Sequence, residues 1–435
     1  MGTELQTSRR HFLAATGTAF AALAASGCVL REAQATDSGD PFYGPLVPDP
    51  EGLLDLPRGF SYRILSRLGD AMQDGNKVPD NADGMGCFAL PGGQLALVRN
   101  HELTAAQDPG GSTTGYDYLK STGTVLPGGT TTLILDARTL ELQHQFRSLA
   151  GTIRNCAGGI TPWGSWLSCE EDVTRAGTRV DKDHGWVFEV PATATGVVHA
   201  VPLKAMGRFY HEAAAVDPRT GIVYLTEDRD DGLLYRFLPR VQGKLAAGGR
   251  LQALAIDGME SSRNRTTQSF APGSWRRVRW IELDDPESPD DDLRKRGAAL
   301  GATVFARGEG IHMGSGELYF CCTSGGAARL GQIFRLRPAR NQLQLFFESN
   351  SIEQFNYGDN LVVAPNGHLV VCEDQYTPVV DNHLRGISPA GKAYKLGRLR
   401  KQTELAGACF SPDGKVMFVN VFSPTATLAI TGPWL

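Results

Sequence analysis

The sequence has no surplus of either charge: 43 Lys and Arg stand against 47 Asp and Glu in 435 residues, a formal net charge of −4. That balance gives no electrostatic case for nucleic acid, and none is expected as a partner. Cysteine is scarce. Seven lie beyond the first 35 residues, an odd number, and none of their spacings resembles a zinc knuckle. No Ser-His-Asp pattern and no G-x-S-x-G motif is present, so a serine nucleophile has no support. What the chain has in abundance is glycine and proline, 51 and 24 residues. They fit many tight turns between short strands and argue against a mainly helical chain.

The first 35 residues read as a leader and not as part of the fold. Ser8-Arg9-Arg10-His11-Phe12-Leu13 fits a twin-arginine export signal, an apolar run from Phe12 to Leu30 follows, and Ala33-Gln34-Ala35 offers a cleavage site. The expected location is periplasmic or secreted, with the twin-arginine machinery as a partner. A membrane anchor and lipidation at Cys28 are the other readings of the segment. Residues 36–435 are expected to form one domain and a monomer. The twin-arginine route carries folded proteins, often with a metal already installed.

NCAGGITPWGSWLSCEED, residues 155–172, sets a cysteine and three acids at the two ends of one predicted hairpin. In an antiparallel hairpin the start of the first strand and the end of the second lie on the same side. The plan recurs at residues 86–102, 211–230, 308–326, 359–375 and 406–422. A third apolar segment follows each copy, and a fourth can be read in most. Four strands repeated at roughly 50 to 70 residues mark a propeller blade. The expectation is an all-β, six-bladed β-propeller, with residues 60–68 completing the last blade. Blades three and four are spaced more widely, so residues 240–306 are expected to hold an insertion whose acidic part, DDPESPDDDLRKR, is an exposed loop.

In a propeller the innermost strands line the axis, so equivalent strand starts face one another. These starts are Asp83, Cys156, Glu212, Glu309 and Asp359, with only Ala406 or Gly407 in the sixth repeat. The second-strand ends add Glu102, Glu170 with Glu171, Glu227 with Asp228, and Glu373 with Asp374. Acids at that density repel one another unless cations neutralise them, which predicts a metal site. Oxygen-rich sets suit calcium, and a thiolate among carboxylates suits iron better than magnesium. His101, His211 and His312 adjoin acids and would face the opposite way in a strand, so they read as supporting or packing residues. Cys169, Cys321 and Cys372 read as small buried thiols.

At these residues the chain resembles the PhoX-type alkaline phosphatases, a family of twin-arginine-exported bacterial enzymes with a six-bladed propeller. The matching pieces are DGM at 83, NHE at 100, NCAGG with TPWGSWLSCEE from 155, GRFYHEAA from 207, Arg-x-Glu at 307–309, and YGDNL with CED from 357 to 374. The resemblance implies two irons and three calciums at the channel mouth, expected as iron(III) and calcium(II), with Cys156, Glu212 and Glu309 among the iron ligands. Glu102, Glu170, Asp359, Glu373 and Asp374 are implied ligands of either metal, and Asp83 and Asp228 join them by position. It implies hydrolysis of small phosphate monoesters, with Arg307 clamping a phosphate oxygen; the other reading of Arg307 is a salt bridge to a neighbouring Glu. Two departures stand out: the chain is shorter than many members, and Arg307-Gly308-Glu309 replaces the common Arg-Pro-Glu. Rival readings from the residues alone are a calcium-dependent lactonase or esterase propeller, and a binding propeller whose metals only hold the mouth together.

Overall fold

The computed structural model describes residues 42–375 and 377–434, so the expected export signal and Cys28 lie outside the described residues. Described residues form short antiparallel strands, with one α-helix, Leu293–Ala299, and three single-turn 3₁₀ segments. Six successive units each begin with a hairpin. Their first strands are Ala82–Leu90, Asn155–Ile160, His211–Val216, Gly308–Met313, Gly358–Val363 and Leu405–Phe410. Each lies beside the next, and the last lies against the first. The arrangement is all-β and propeller-like.

Apolar packing follows the same order. Six buried clusters fill the gaps between consecutive units, including the gap from sixth back to first, where Phe418 and Cys409 meet Leu97 and Cys87. Between the third and fourth units Phe320 and Phe334 stack with centroids 5.1 Å apart. Each such fully buried ring contributes about 2 kcal/mol by leaving water. Cys169, Cys321 and Cys372 are fully buried within these clusters, as expected of small apolar thiols. Where adjacent inner strands touch there is no room for a side chain. A Cβ on Gly84 would lie 2.5 Å from Ala157 Cα, and one on Gly310 would lie 2.6 Å from the Leu361 nitrogen. Glycine and alanine there let neighbouring inner strands touch.

The first, second and sixth units match the expected plan, although the second has three strands and no fourth. Ser61–Arg67 pairs with Ala426–Thr431 and completes the sixth unit, which joins the two ends of the described chain. In the fifth unit the third strand is His383–Ile387 and the fourth is Ala393–Leu399, so GISPAGKAYKL is split by a turn. The hydrogen-bonded sheets number five, not six. The cause is the 240–306 segment, which does not behave as a loose insertion. Gly249–Ile256 is the fourth strand of unit three, and Trp275–Leu283 pairs with it on one side and with Gln342–Glu348 of unit four on the other. One nine-stranded sheet results. The acidic stretch is mostly exposed over residues 284–290, as expected, but Ser288 is buried and its last four residues open the helix that buries Leu293, Arg294 and Gly297.

Candidate metal centre

Every inner strand carries the same irregularity. Its pairing breaks so that two residues face one: Asp83-Gly84, Cys156-Ala157, Glu212-Ala213, Glu309-Gly310, Asp359-Asn360 and Gly407-Ala408. Such a bulge bends the strand and re-aims a side chain. The first bulge residue is the candidate ligand in five units. In the sixth it is Gly407, at φ +63°, where a Cβ would lie 2.2 Å from the Asp83 carbonyl oxygen. Side chains of the preceding unit clasp these strands. Asn100 donates to the Cys156 and Ala157 carbonyls, Thr226 to Glu309, Thr323 to Gly358, and Asn420 to Asp83, over 2.6–3.1 Å. The bulges are thereby held from both sides.

Acidic groups and one thiol converge as a result. Four overlapping triads each have ligand atoms within 4.8 Å of one another: Asp83–Glu102–Cys156, Cys156–Glu171–Glu212, Glu212–Glu309–Asp359 and Asp359–Asp374–Glu404. Cys156 Sγ lies 3.3 Å from Glu212 Oε1 and 3.6 Å from Asp83 Oδ2. Burial, then the neighbouring Glu309, Asp359, Glu171 and Asp83 carboxylates, push the Glu212 carboxyl far above its usual range. The Cys156 thiol is pushed up in the same way, by burial and then by Asp83 and Glu212. Glu212 is 1% exposed and its Oε2 has no hydrogen-bond partner. A buried carboxylate oxygen without a donor, among like charges and a thiol, is a donor set that fits a cation.

The second-strand ends separate by alternation. Glu170 turns into the sheet: its oxygens accept from the backbone N–H of Ile153, Gly185 and Trp186, and one lies 2.7 Å from His184 Nδ1. Glu373 does the same, accepting from the Asn356 and His383 N–H and from Arg385 Nε at 2.7 Å. These two expected ligands are brackets of the fold, because a strand's last in-register residue faces its sheet. The residue after it faces the mouth, which places Glu102, Glu171 and Asp374 with the triads. Asp228 stands at the equivalent place but outside them, chelated by Arg307 Nε and Nη2 at 2.7 and 3.1 Å. Arg307 also meets Glu309 Oε1 at 2.5 Å, so the salt-bridge reading of this residue holds in the structure.

The three histidines pack away from the mouth. His101 bonds the Asp80 carbonyl and Thr131, His211 bonds the Gly207 carbonyl and lies on Phe209, and His312 meets the Val363 N–H. Two residues of the site escaped the sequence reading. Glu404 closes the last triad. Arg154 donates to Glu102 Oε1 and Glu171 Oε2, both at 2.7 Å, and the two carboxylates overcome burial and raise its pKa. A signal for it exists. Arg154-Asn155-Cys156 repeats the spacing of Arg307-Gly308-Glu309, an arginine two residues before a bulge ligand.

A propeller-like ring whose inner strands gather buried acids and a thiol offers a donor set that fits cations. The family model of alkaline phosphatase PhoX matches residues 42–145 and 135–425, and the chain belongs to that family, which makes it a phosphatase. Among solved structures it is similar to PhoX of Pseudomonas fluorescens, solved with vanadate as a transition-state analogue. The two share 19% identity at a TM-score of 0.69 over 89% of this chain and 97% of that one. It is also similar to a gluconolactonase from Xanthomonas campestris, at 15% identity and a TM-score of 0.42 over 90% and 98%. A calcium-binding regucalcin of Agrobacterium tumefaciens gives 12% and 0.42 over 85% and 96%. No curated protein matches the sequence.

Proposed function

We propose that this chain is an exported, metal-dependent phosphomonoesterase, built as a six-bladed propeller over residues 36–435 and sent through the twin-arginine pathway by residues 1–35. The observation that carries the metal reading is the run of four triads with the unpartnered Glu212 Oε2 at its centre. Cys156, Glu212, Glu309, Asp83, Glu102 and Glu171 would hold iron, since one thiolate among carboxylates suits that ion. Asp359, Asp374 and Glu404 offer oxygen only and would hold calcium. When bound, such ions supply Lewis-acid stabilisation of phosphoryl and leaving-group oxygens.

The chain's own residues define where a phosphate ester would lie. Arg307, fixed on Asp228 and Glu309, presents a guanidinium to a non-bridging phosphate oxygen. Bulk water is kept from the innermost bulge carboxylates, since Glu212 and Glu309 are at most 1% exposed. The test is turnover of p-nitrophenyl phosphate by protein purified after export from a twin-arginine-competent host. Activity should vanish with a calcium chelator and return with added calcium. Activity that survives exhaustive chelation, or a metal-replete protein inert on phosphate esters, would contradict the proposal.

A further inference from the structure

Six residues stand immediately before the six inner strands: Asn81, Arg154, Tyr210, Arg307, Tyr357 and Glu404. Arg154 and Arg307 hold this place in the second and fourth units, on either side of the third unit and its Glu212. Both have left-handed backbones, φ +48° and +57°. L-residues reach that conformation only at a cost of about 1 to 2 kcal/mol, so the surrounding contacts must hold both. Those contacts correspond. Each guanidinium binds the acid that follows the preceding unit's second strand, Glu102 for Arg154 and Asp228 for Arg307, and each also binds an acid of its own unit, Glu171 or Glu309.

Arg154 has capacity left over. A guanidinium carries five N–H donors. Four are engaged: Nε and one on Nη2 with Glu102 Oε1, the other on Nη2 with Glu171 Oε2, and one on Nη1 with the Glu171 carbonyl at 2.9 Å. The second Nη1 donor remains. The side chain is 12% exposed, so the guanidinium is not sealed in the core. Glu171 and Glu309 each share a triad with Glu212, which sets the two guanidinium groups one carboxylate away from it on opposite sides. Tyr210, at the same place in the third unit, carries Arg229 over its ring at 3.5 Å, and Arg229 pairs with Asp291 at 3.3 Å.

We infer that Arg154 is a second phosphate-binding residue, paired with Arg307 across Glu212; the inference rests on the phosphatase reading above. The two arginines would contact different non-bridging oxygens of one phosphoryl group, and the fork of Arg154 would stay fixed by its carboxylates. Preorganised cations of this kind stabilise charge without moving during the reaction. The alternative is that Arg154 only braces Glu102 and Glu171.

The experiment compares wild type, R154A and R154K, each exported, purified and analysed for iron and calcium. Inorganic phosphate and vanadate are the probes, as inhibitors of p-nitrophenyl phosphate turnover and, for phosphate, as the titrant in calorimetry. R154A should keep its metal content, bind phosphate at least about tenfold more weakly, and lose about 100-fold in kcat/KM. R154K, with charge but no fork, should recover part of the loss. Phosphate binding by R154A within twofold of wild type, or loss of metal in proportion to activity, would overturn the inference. Calorimetry reads the contact without turnover, so an inert wild type would overturn the phosphatase reading and leave this comparison decisive.

Discussion

Glu170 and Glu171 are neighbours in sequence and opposites in placement. The first is fully buried, with three backbone N–H groups and His184 on its oxygens; the second shares a triad with Cys156 and Glu212. Glu373 and Asp374 divide in the same way. The pleat of a strand thus sends one acid into the fold and its neighbour to the mouth. A buried acid with a full set of donors supports the architecture, whereas Glu171, tied to Arg154, stands in a crowd of acids whose oxygens fit a cation.

The comparison is broken most directly by removing the mouth's only thiol. Cys156→Ser should lower turnover on the order of 100-fold or more and strip iron while the protein stays folded, read by kinetics, elemental analysis and thermal melting. Unchanged iron would remove Cys156 from the site. The paired substitutions Glu170→Gln and Glu171→Gln should divide stability from function. Glu170→Gln should cost about 3 kcal/mol in denaturant unfolding, because it leaves buried donors and His184 poorly matched, with turnover per folded molecule nearly unchanged. Glu171→Gln should leave the melt almost in place and lower turnover on the order of tenfold. The reverse pattern would mean that the two faces have been assigned the wrong way round.

A pH series sharpens the structural side. His184 lies between Glu170 and Asp117, and although burial opposes its charge, these acids raise its pKa from 6.5 to about 9. The folded state therefore binds this proton more tightly than the unfolded state. Its stabilisation is complete below about pH 6.5 and disappears as pH rises through 9, a total of at most about 3 kcal/mol. His184→Gln should flatten that slope in melts at pH 6 to 10; an unchanged slope would exclude His184 as its source. At the mouth's sixth position, Gly407→Ala combines a left-handed backbone with a Cβ 2.2 Å from the Asp83 carbonyl oxygen and should cost roughly 2 to 4 kcal/mol in denaturant unfolding.

Much of this was legible in the sequence because it repeats. Asp83, Cys156, Glu212, Glu309 and Asp359 stand at one place in successive hairpins, and the fold brings their neighbourhood together. The split between Glu170 and Glu171 was not legible. Alternation says that two adjacent side chains part, but which one turns inward depends on where the pairing register ends. Arg154 was missed because a single arginine before a strand looks like any surface cation, and only its match to Arg307 distinguishes it. The six bulges were not legible although their second residue is Gly or Ala in five of them, since the extra residue appears only when partner strands are aligned. The strand Trp275–Leu283 was hidden for a related reason: it joins two units and so belongs to no repeat.

The central claim is that one thiol turns a ring of carboxylates into an iron and calcium site. Elemental analysis of the protein, purified after export from a twin-arginine-competent host, tests it most directly. Iron together with calcium, with the iron lost in Cys156→Ser, is the predicted result. Calcium alone, or zinc, would contradict it.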